Sequence, residues 1–124
     1  MFLFTYGSLK KGFKYNGFLN GSFIDNAKTK FKYSMREYCD SGFPYLIKEE
    51  DFHIYGEVYE INLEELQTLD MLEDHPKFYR REMIDIILEN ETTLKAYCYF
   101  LSEKIIDNKK PFDNWTIDME NRGS

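Results

Sequence analysis

Glu73 is the residue whose type and placement point most directly to chemistry. It follows Leu69 by four positions and Leu66 by seven, so a helix through this stretch carries all three on one stripe. A carboxylate on an apolar stripe loses hydration and its charged form is disfavoured. Its pKa then moves from about 4.3 toward neutrality, where a carboxylate works well as a general base. Position alone also allows a plainer and commoner arrangement, a glutamate at a fraying helix end that bends into solvent or pairs with Arg80 or Arg81. The second candidate is Tyr6-Gly7-Ser8-Leu9. Successive N–H groups in a glycine-containing turn after a strand can form a concave seat for an anionic group, although an ordinary strand-ending turn has the same composition.

Other chemistry-bearing side chains fit quieter roles. Ser8 lacks the G-x-S-x-G elbow and has no histidine placed beside it, so it reads as a loop hydroxyl rather than a nucleophile. His53, near a strand start, and His75, in a turn beside Pro76, have no partners at metal-ligand spacing and read as structural or exposed. Cys39 and Cys98 form no CxxC pair and read as reduced, partly buried thiols. Glu57, which follows Gly56 inside a strand, reads as a structural or orienting carboxylate. No metal and no cofactor are expected.

These residues must be positioned by a single domain, since 124 residues allow a substantial core but not two ordinary domains. We expect residues 1–117 to form it and residues 118–124 to be a flexible tail, with Arg122-Gly123-Ser124 a remnant of an affinity tag. Aromatic residues make up 18% of the chain, with 10 Tyr and 11 Phe, which favours half-buried pleated surfaces and aromatic-lined pockets. The net charge of −6, with scattered cations, argues against a nucleic-acid partner. No apolar run approaches a membrane span, and Met1 leads into an alternating segment rather than a signal core, so a soluble, unexported, cytoplasmic protein is expected. Nothing in the sequence bears on oligomeric state.

The alternating segment from Met1 to Thr5 predicts a strand running into the Tyr6–Leu9 loop, followed by an irregular or short helical stretch between Gly12 and Asn20. Phe31, Tyr33 and Met35 fall on one face of a strand expected over Thr29–Met35. Asp40-Ser41-Gly42 and Pro44 mark a turn, and Tyr45–Lys48 and Phe52–Ile61 are expected as strands joined by an exposed hairpin at Glu49, Glu50 and Asp51. Asn62 is a good N-cap with Glu65 three residues on, and Leu63, Leu66 and Leu69 give a stripe, so a helix is predicted from Leu63 to about Leu72. Arg81–Leu88 and Thr93–Leu101 read as an antiparallel hairpin, and Pro111, Phe112 and Trp115 as anchors for the C-terminal segment.

The run FTYGSLKKG from Phe4 to Gly12 resembles the YG[ST]L loop of the gamma-glutamyl cyclotransferase-like superfamily, most closely its gamma-glutamylamine cyclotransferase (AIG2-like) branch. Phe43-Pro44-Tyr45-Leu46, Tyr55-Gly56-Glu57-Val58-Tyr59, Leu69-Asp70-Met71-Leu72-Glu73, then Pro76, Tyr79 and Arg81 follow in the order of that family, so the resemblance spans Met1 to about Leu101. Tyr15-Asn16 stands where the branch usually has Asn-His. The resemblance implies an α+β fold, a small curved, mostly antiparallel sheet closing toward a barrel with one main flanking helix. It implies Glu73 as catalytic acid/base, Tyr6, Gly7, Ser8 and Leu9 as the loop that holds a glutamyl head, and Tyr79 and Arg81 as residues flanking the site. The activity implied is conversion of a small-molecule gamma-glutamyl amine or isopeptide into 5-oxoproline and free amine. Two rivals are removal of a gamma-glutamyl group from a biosynthetic intermediate and a non-catalytic binding module of the same fold.

Overall fold

The computed structural model describes residues 1–19, 22–38, 43–102 and 110–122. Cys39, the Asp40-Ser41-Gly42 turn and Gly123-Ser124 lie outside them. Five strands close a barrel in the order β1 (Phe2–Thr5), β5 (Tyr55–Glu60), β2 (Ser22–Thr29), β6 (Tyr79–Leu88) and β7 (Thr93–Leu101). Every pairing is antiparallel except the one that closes the ring, where β1 runs parallel to β7 with Leu3 opposite Tyr97. A second, two-stranded sheet is formed by β3 (Tyr33–Glu37) and β4 (Pro44–Phe52). Helix α1 (Leu63–Leu72) flanks the barrel, and a short helix α2 (Ile117–Arg122) ends the described chain. The α+β barrel with one main helix implied by the resemblance is therefore the observed architecture.

Side-chain alternation sorts the apolar residues into two clusters. Along β7, Ala96, Cys98 and Phe100 pack with Phe4, Tyr6, Val58, Ile84 and Ile86 in one, while Tyr99 and Leu101 pack with Leu3, Tyr59 and the helix residues Leu66 and Leu69 in the other. The barrel wall thus has an apolar side facing its own interior and an apolar side facing α1. Trp115, fully buried, joins the first cluster, and the Phe112 N–H donates to the Met35 carbonyl at 2.9 Å, fastening the C-terminal segment to the body. Among the described residues, no helix is long and apolar enough to cross a membrane, and no group of three or more His, Cys, Asp or Glu is gathered as a metal would require.

Three local expectations give way to tertiary structure. The strand expected over Thr29–Met35 is instead the end of β2 and the start of β3, with Phe31 exposed between them. Most of β2 shows no alternation to read, because a register shift between Phe23 and Asp25 breaks its phase and leaves Phe23 and Ile24 exposed. The acidic run Glu49–Asp51 is exposed, as its composition requires, but it lies within β4 rather than at a hairpin tip. Tyr33 pairs with Phe52 and Ser34 with Ile47, so the intervening residues bulge outward, where Arg36 meets Glu49 at 2.6 Å and Asp51 at 3.9 Å. The real corner falls at His53-Ile54, inside the long strand expected over Phe52–Ile61. It is held there by Thr29, whose Oγ1 accepts from the Ile54 N–H at 2.9 Å and whose carbonyl accepts from His53 Nδ1 at 3.0 Å.

Candidate active site

Helix α1 begins with a reciprocal cap: the Glu65 N–H donates to Asn62 Oδ1 at 2.8 Å and the Asn62 N–H to Glu65 Oε1 at 3.2 Å. It ends at Glu73. Asp74 adopts a left-handed conformation at φ 51°, and its N–H and that of His75 return to the carbonyls of Met71 and Asp70 at 3.2 and 2.8 Å. This closing pattern satisfies the last carbonyls and stops the helix with Glu73 as its C-cap. Because Leu66 and Leu69 on the same stripe are buried, Glu73 is carried to the barrel side of the helix end.

There it borders a cavity of about 360 Å³. One wall is the end of β1 and its loop, Thr5 through Leu9, and the opposite wall is Leu72, Glu73 and Asp74. Leu3, Phe4 and Tyr15, with Phe43, Pro44, Phe78, Tyr79 and Tyr99, complete it. Burial pushes the Glu73 carboxyl up to about 7. Among the described residues no hydrogen bond or ion pair with another side chain opposes that shift. The ion-pair alternative for Glu73 does not form, because both candidate cations are engaged elsewhere. Arg80 meets Glu82 at 2.9 Å, and Arg81 grips Asp70 through Nε and Nη2 at 3.0 Å each.

The loop is built for close approach. A Cβ on Gly7 would stand 2.7 Å from Pro44 Cγ, so glycine there lets the loop lie against the Phe43-Pro44 wall. Within the turn, the Lys10 N–H donates to Gly7 O at 3.0 Å and the Tyr15 N–H to Ser8 O at 2.7 Å. The N–H groups of Gly7 and Leu9 take part in none of the turn's own backbone bonds. Three anchors hold the loop from outside. The Lys11 N–H donates to Glu57 Oε1 at 2.7 Å, Asn16 Nδ2 donates to Leu9 O at 2.9 Å and to the Tyr59 hydroxyl at 3.1 Å, and Lys10 Nζ donates to Asn114 Oδ1 and the Trp115 carbonyl at 3.1 and 2.5 Å. Glu57 is thus an orienting carboxylate, and Asn16 fastens the segment that departs from the branch's usual pair.

Tyr6, Gly7, Ser8, Leu9, Glu73 and Tyr79 all reach the cavity, whereas Arg81 does not line it and is paired with Asp70. Tyr79 donates its hydroxyl proton to the Pro44 carbonyl at 2.8 Å, and Tyr6 to the Tyr99 carbonyl at 2.7 Å. His75 is structural, with Nδ1 accepting from the Arg81 N–H at 3.1 Å. Sequence reading gave no role to Asp70, Tyr99, Phe43 or Phe78. Asp70 was open to inference, since it lies three residues before Glu73 and so shares its helix face. Tyr99 becomes a wall of the site only through the way β7 passes beneath the helix end.

A closed five-stranded barrel with a half-buried carboxylate facing a glycine turn defines a small, pocketed α+β class. The chain belongs to the gamma-glutamyl cyclotransferase, AIG2-like family, whose model matches residues 3–117, and it is a cyclotransferase-type enzyme. It is 43% identical over 105 residues to a provisionally named gamma-glutamylcyclotransferase of Methanocaldococcus jannaschii, covering 82% of this chain and 85% of that one. Gamma-glutamylaminecyclotransferase A of Danio rerio is 33% identical over 110 residues, covering 81% of this chain and 68% of that protein. The crystal structure of an AIG2-like protein from Mus musculus superposes with a TM-score of 0.85 at 20% identity, over 93% of this chain and 87% of that one, a likeness of fold.

Proposed function

We propose that the chain converts gamma-glutamyl amines into 5-oxoproline and free amine, with Glu73 moving the protons. The observation that carries this reading is a carboxylate with a pKa of about 7 facing, across a cavity, the loop that matches the family's substrate segment. The substrate's α-nitrogen attacks its own side-chain carbonyl carbon, closing a five-membered lactam, and the C–N bond to the amine breaks. The α-nitrogen gives up two protons in passing from ammonium to lactam N–H, one before attack and one as the tetrahedral intermediate collapses. Glu73 relays both to the departing nitrogen, which leaves as an ammonium, so no proton is gained or lost overall. Because attack is intramolecular, the main demand on the pocket is to hold the folded-back conformer. Backbone N–H groups of Gly7 and Leu9 suit the carbonyl oxygen as it gains charge, or the substrate carboxylate.

The cavity also favours one class of leaving group. Among the described residues its lining contains no Lys, Arg or His and includes two acids, Glu73 and Asp74. A second carboxylate next to the scissile bond, as in a gamma-glutamyl dipeptide, would find no counter-charge, whereas the aromatic rings of Phe43 and Phe78 suit the carbon chain of an amine. The test is to incubate the enzyme with gamma-glutamyl-butylamide, gamma-glutamyl-norvaline and the ε-linked gamma-glutamyl-lysine isopeptide, following 5-oxoproline by mass. The butylamide is expected to react fastest, and Glu73→Gln to lower its rate by roughly 10²- to 10⁴-fold. Retention of most of the rate in Glu73→Gln overturns the assignment of Glu73, and preference for norvaline overturns the amine class.

A further inference from the structure

Of the four tyrosines that line the cavity, Tyr15 is exposed and the three buried ones give their phenolic protons to protein acceptors. Tyr6 donates to the carbonyl of Tyr99 and Tyr79 to that of Pro44, while Tyr99 donates to Asp70 Oδ1 at 2.7 Å. A carbonyl or a carboxylate can only accept, so the direction of each bond is set by chemistry, and each phenol oxygen retains only lone pairs. The arrangement is most firmly determined at Tyr99. Burial by itself would raise the Asp70 carboxyl, but the hydrogen bonds from Arg81 and Tyr99 outweigh it and hold that carboxyl below its usual range. Asp70 therefore stays ionised and cannot donate back. Arg81 is itself steadied over the Tyr97 ring, 4.8 Å from its centroid.

Tyr99 also lines the same cavity as Glu73. Asp70 and Glu73 sit one turn apart on α1, and the Glu73 charge adds to the burial that raises the phenols of Tyr6, Tyr79 and Tyr99. With a base and three acceptor-only phenols, the inner part of the cavity is unsuited to stabilising an oxyanion through Tyr6, Tyr79 or Tyr99 and well suited to an N–H-rich cation. We propose that the Tyr99 phenol oxygen accepts a hydrogen bond from the substrate's α-ammonium, and that Asp70 and Arg81 are positioning residues that keep Tyr99 in this acceptor state. The inference rests on the cyclotransferase reading of the site. It assigns the nucleophile end of the substrate to the Tyr99–Glu73 side and leaves the carbonyl oxygen to the loop N–H groups.

The test separates ammonium recognition from general packing. L-Glutamine and glutaramic acid differ only by the α-ammonium, and their binding is compared by calorimetry for wild type, Tyr99→Phe and Asp70→Asn. Loss of one hydrogen bond to a charged group is expected to weaken glutamine by about 10- to 100-fold in Tyr99→Phe, with glutaramic acid within about twofold. Asp70→Asn should shift the same ratio in the same direction, and it supplies the readout if Tyr99→Phe does not fold. Equal weakening of both ligands, or of neither, overturns the seat. Wild-type enzyme that makes no 5-oxoproline overturns the cyclotransferase reading itself. Turnover by wild type with an unchanged glutamine-to-glutaramate ratio in the variants overturns only the role of Tyr99.

Discussion

At Glu73 the burial that suits proton transfer works against folding. The carboxyl titrates near 7 in the folded chain against 4.5 for an exposed glutamate. Between those values the folded state keeps a proton that the unfolded state has released, so this group's contribution to stability falls as pH rises from about 4.5 to about 7 and stays low above that. Glu73→Gln removes the penalty. Denaturant melts should show the variant more stable than wild type by up to about 3 kcal/mol at pH 8, with the difference vanishing near pH 4. Catalysis has the opposite sign, because the base acts deprotonated. On that account kcat/KM for a gamma-glutamyl amide should rise with pH through about 7 and then level, which a pH–rate profile will read directly.

At the scale of elements, the site depends on two backbones lying unusually close. Gly7 allows the Tyr6–Leu9 loop to rest on Pro44, and Gly56 allows β5 to rest on β1, where a Cβ would strike the Thr5 carbonyl and the Phe4 ring. A proline ring and a backbone oxygen cannot swing aside as a flexible side-chain end can. The two substitutions should nevertheless differ. Gly56→Ala forces β1 and β5 apart inside the barrel and is expected to cost roughly 2–3 kcal/mol in chemical denaturation. Gly7→Ala displaces a loop outside the barrel sheet from its wall, so its main effect should be a raised KM with a smaller loss of stability. Helix α1 contributes through its ends: the Asn62–Glu65 cap fixes where it starts, and the left-handed Asp74 fixes Glu73 as its C-cap.

Across the whole molecule, the C-terminal segment reaches back to the first loop. Trp115 is fully buried with the barrel residues, and its carbonyl receives Lys10 Nζ, one residue past the YGSL turn. If the loop binds substrate as proposed, stability and binding are coupled through residues about a hundred positions apart in sequence. Trp115→Ala should lower stability by about 3–5 kcal/mol, as expected for emptying a large buried ring. Because the loop loses the carbonyl's fixed position, KM for a gamma-glutamyl amine should rise under conditions where the variant remains folded. A variant that loses stability with an unchanged KM would show that Lys10 does not transmit the position of this segment.

Local signals in the sequence determined what lies within a few residues of its own cause. The cap at Asn62, the leucine stripe and the alternation of β7 specify α1 and the β6–β7 hairpin, because their partners are three, four or two residues away. The order of YGSL, GEVY and LDMLE marked the family, and that resemblance assigned Glu73 and the loop to one site. What the sequence left open depended on distant contacts. Thr29, some 25 positions away, sets the corner at His53-Ile54, and the bulge in β2 hides its alternation. Arg81 could have paired with Glu73 or with Asp70, both within reach along the chain. Only the packing of β7 under α1, which brings the Tyr99 hydroxyl to Asp70 as well, gave Arg81 to Asp70 and left Glu73 with an apolar surround in which burial alone sets its pKa.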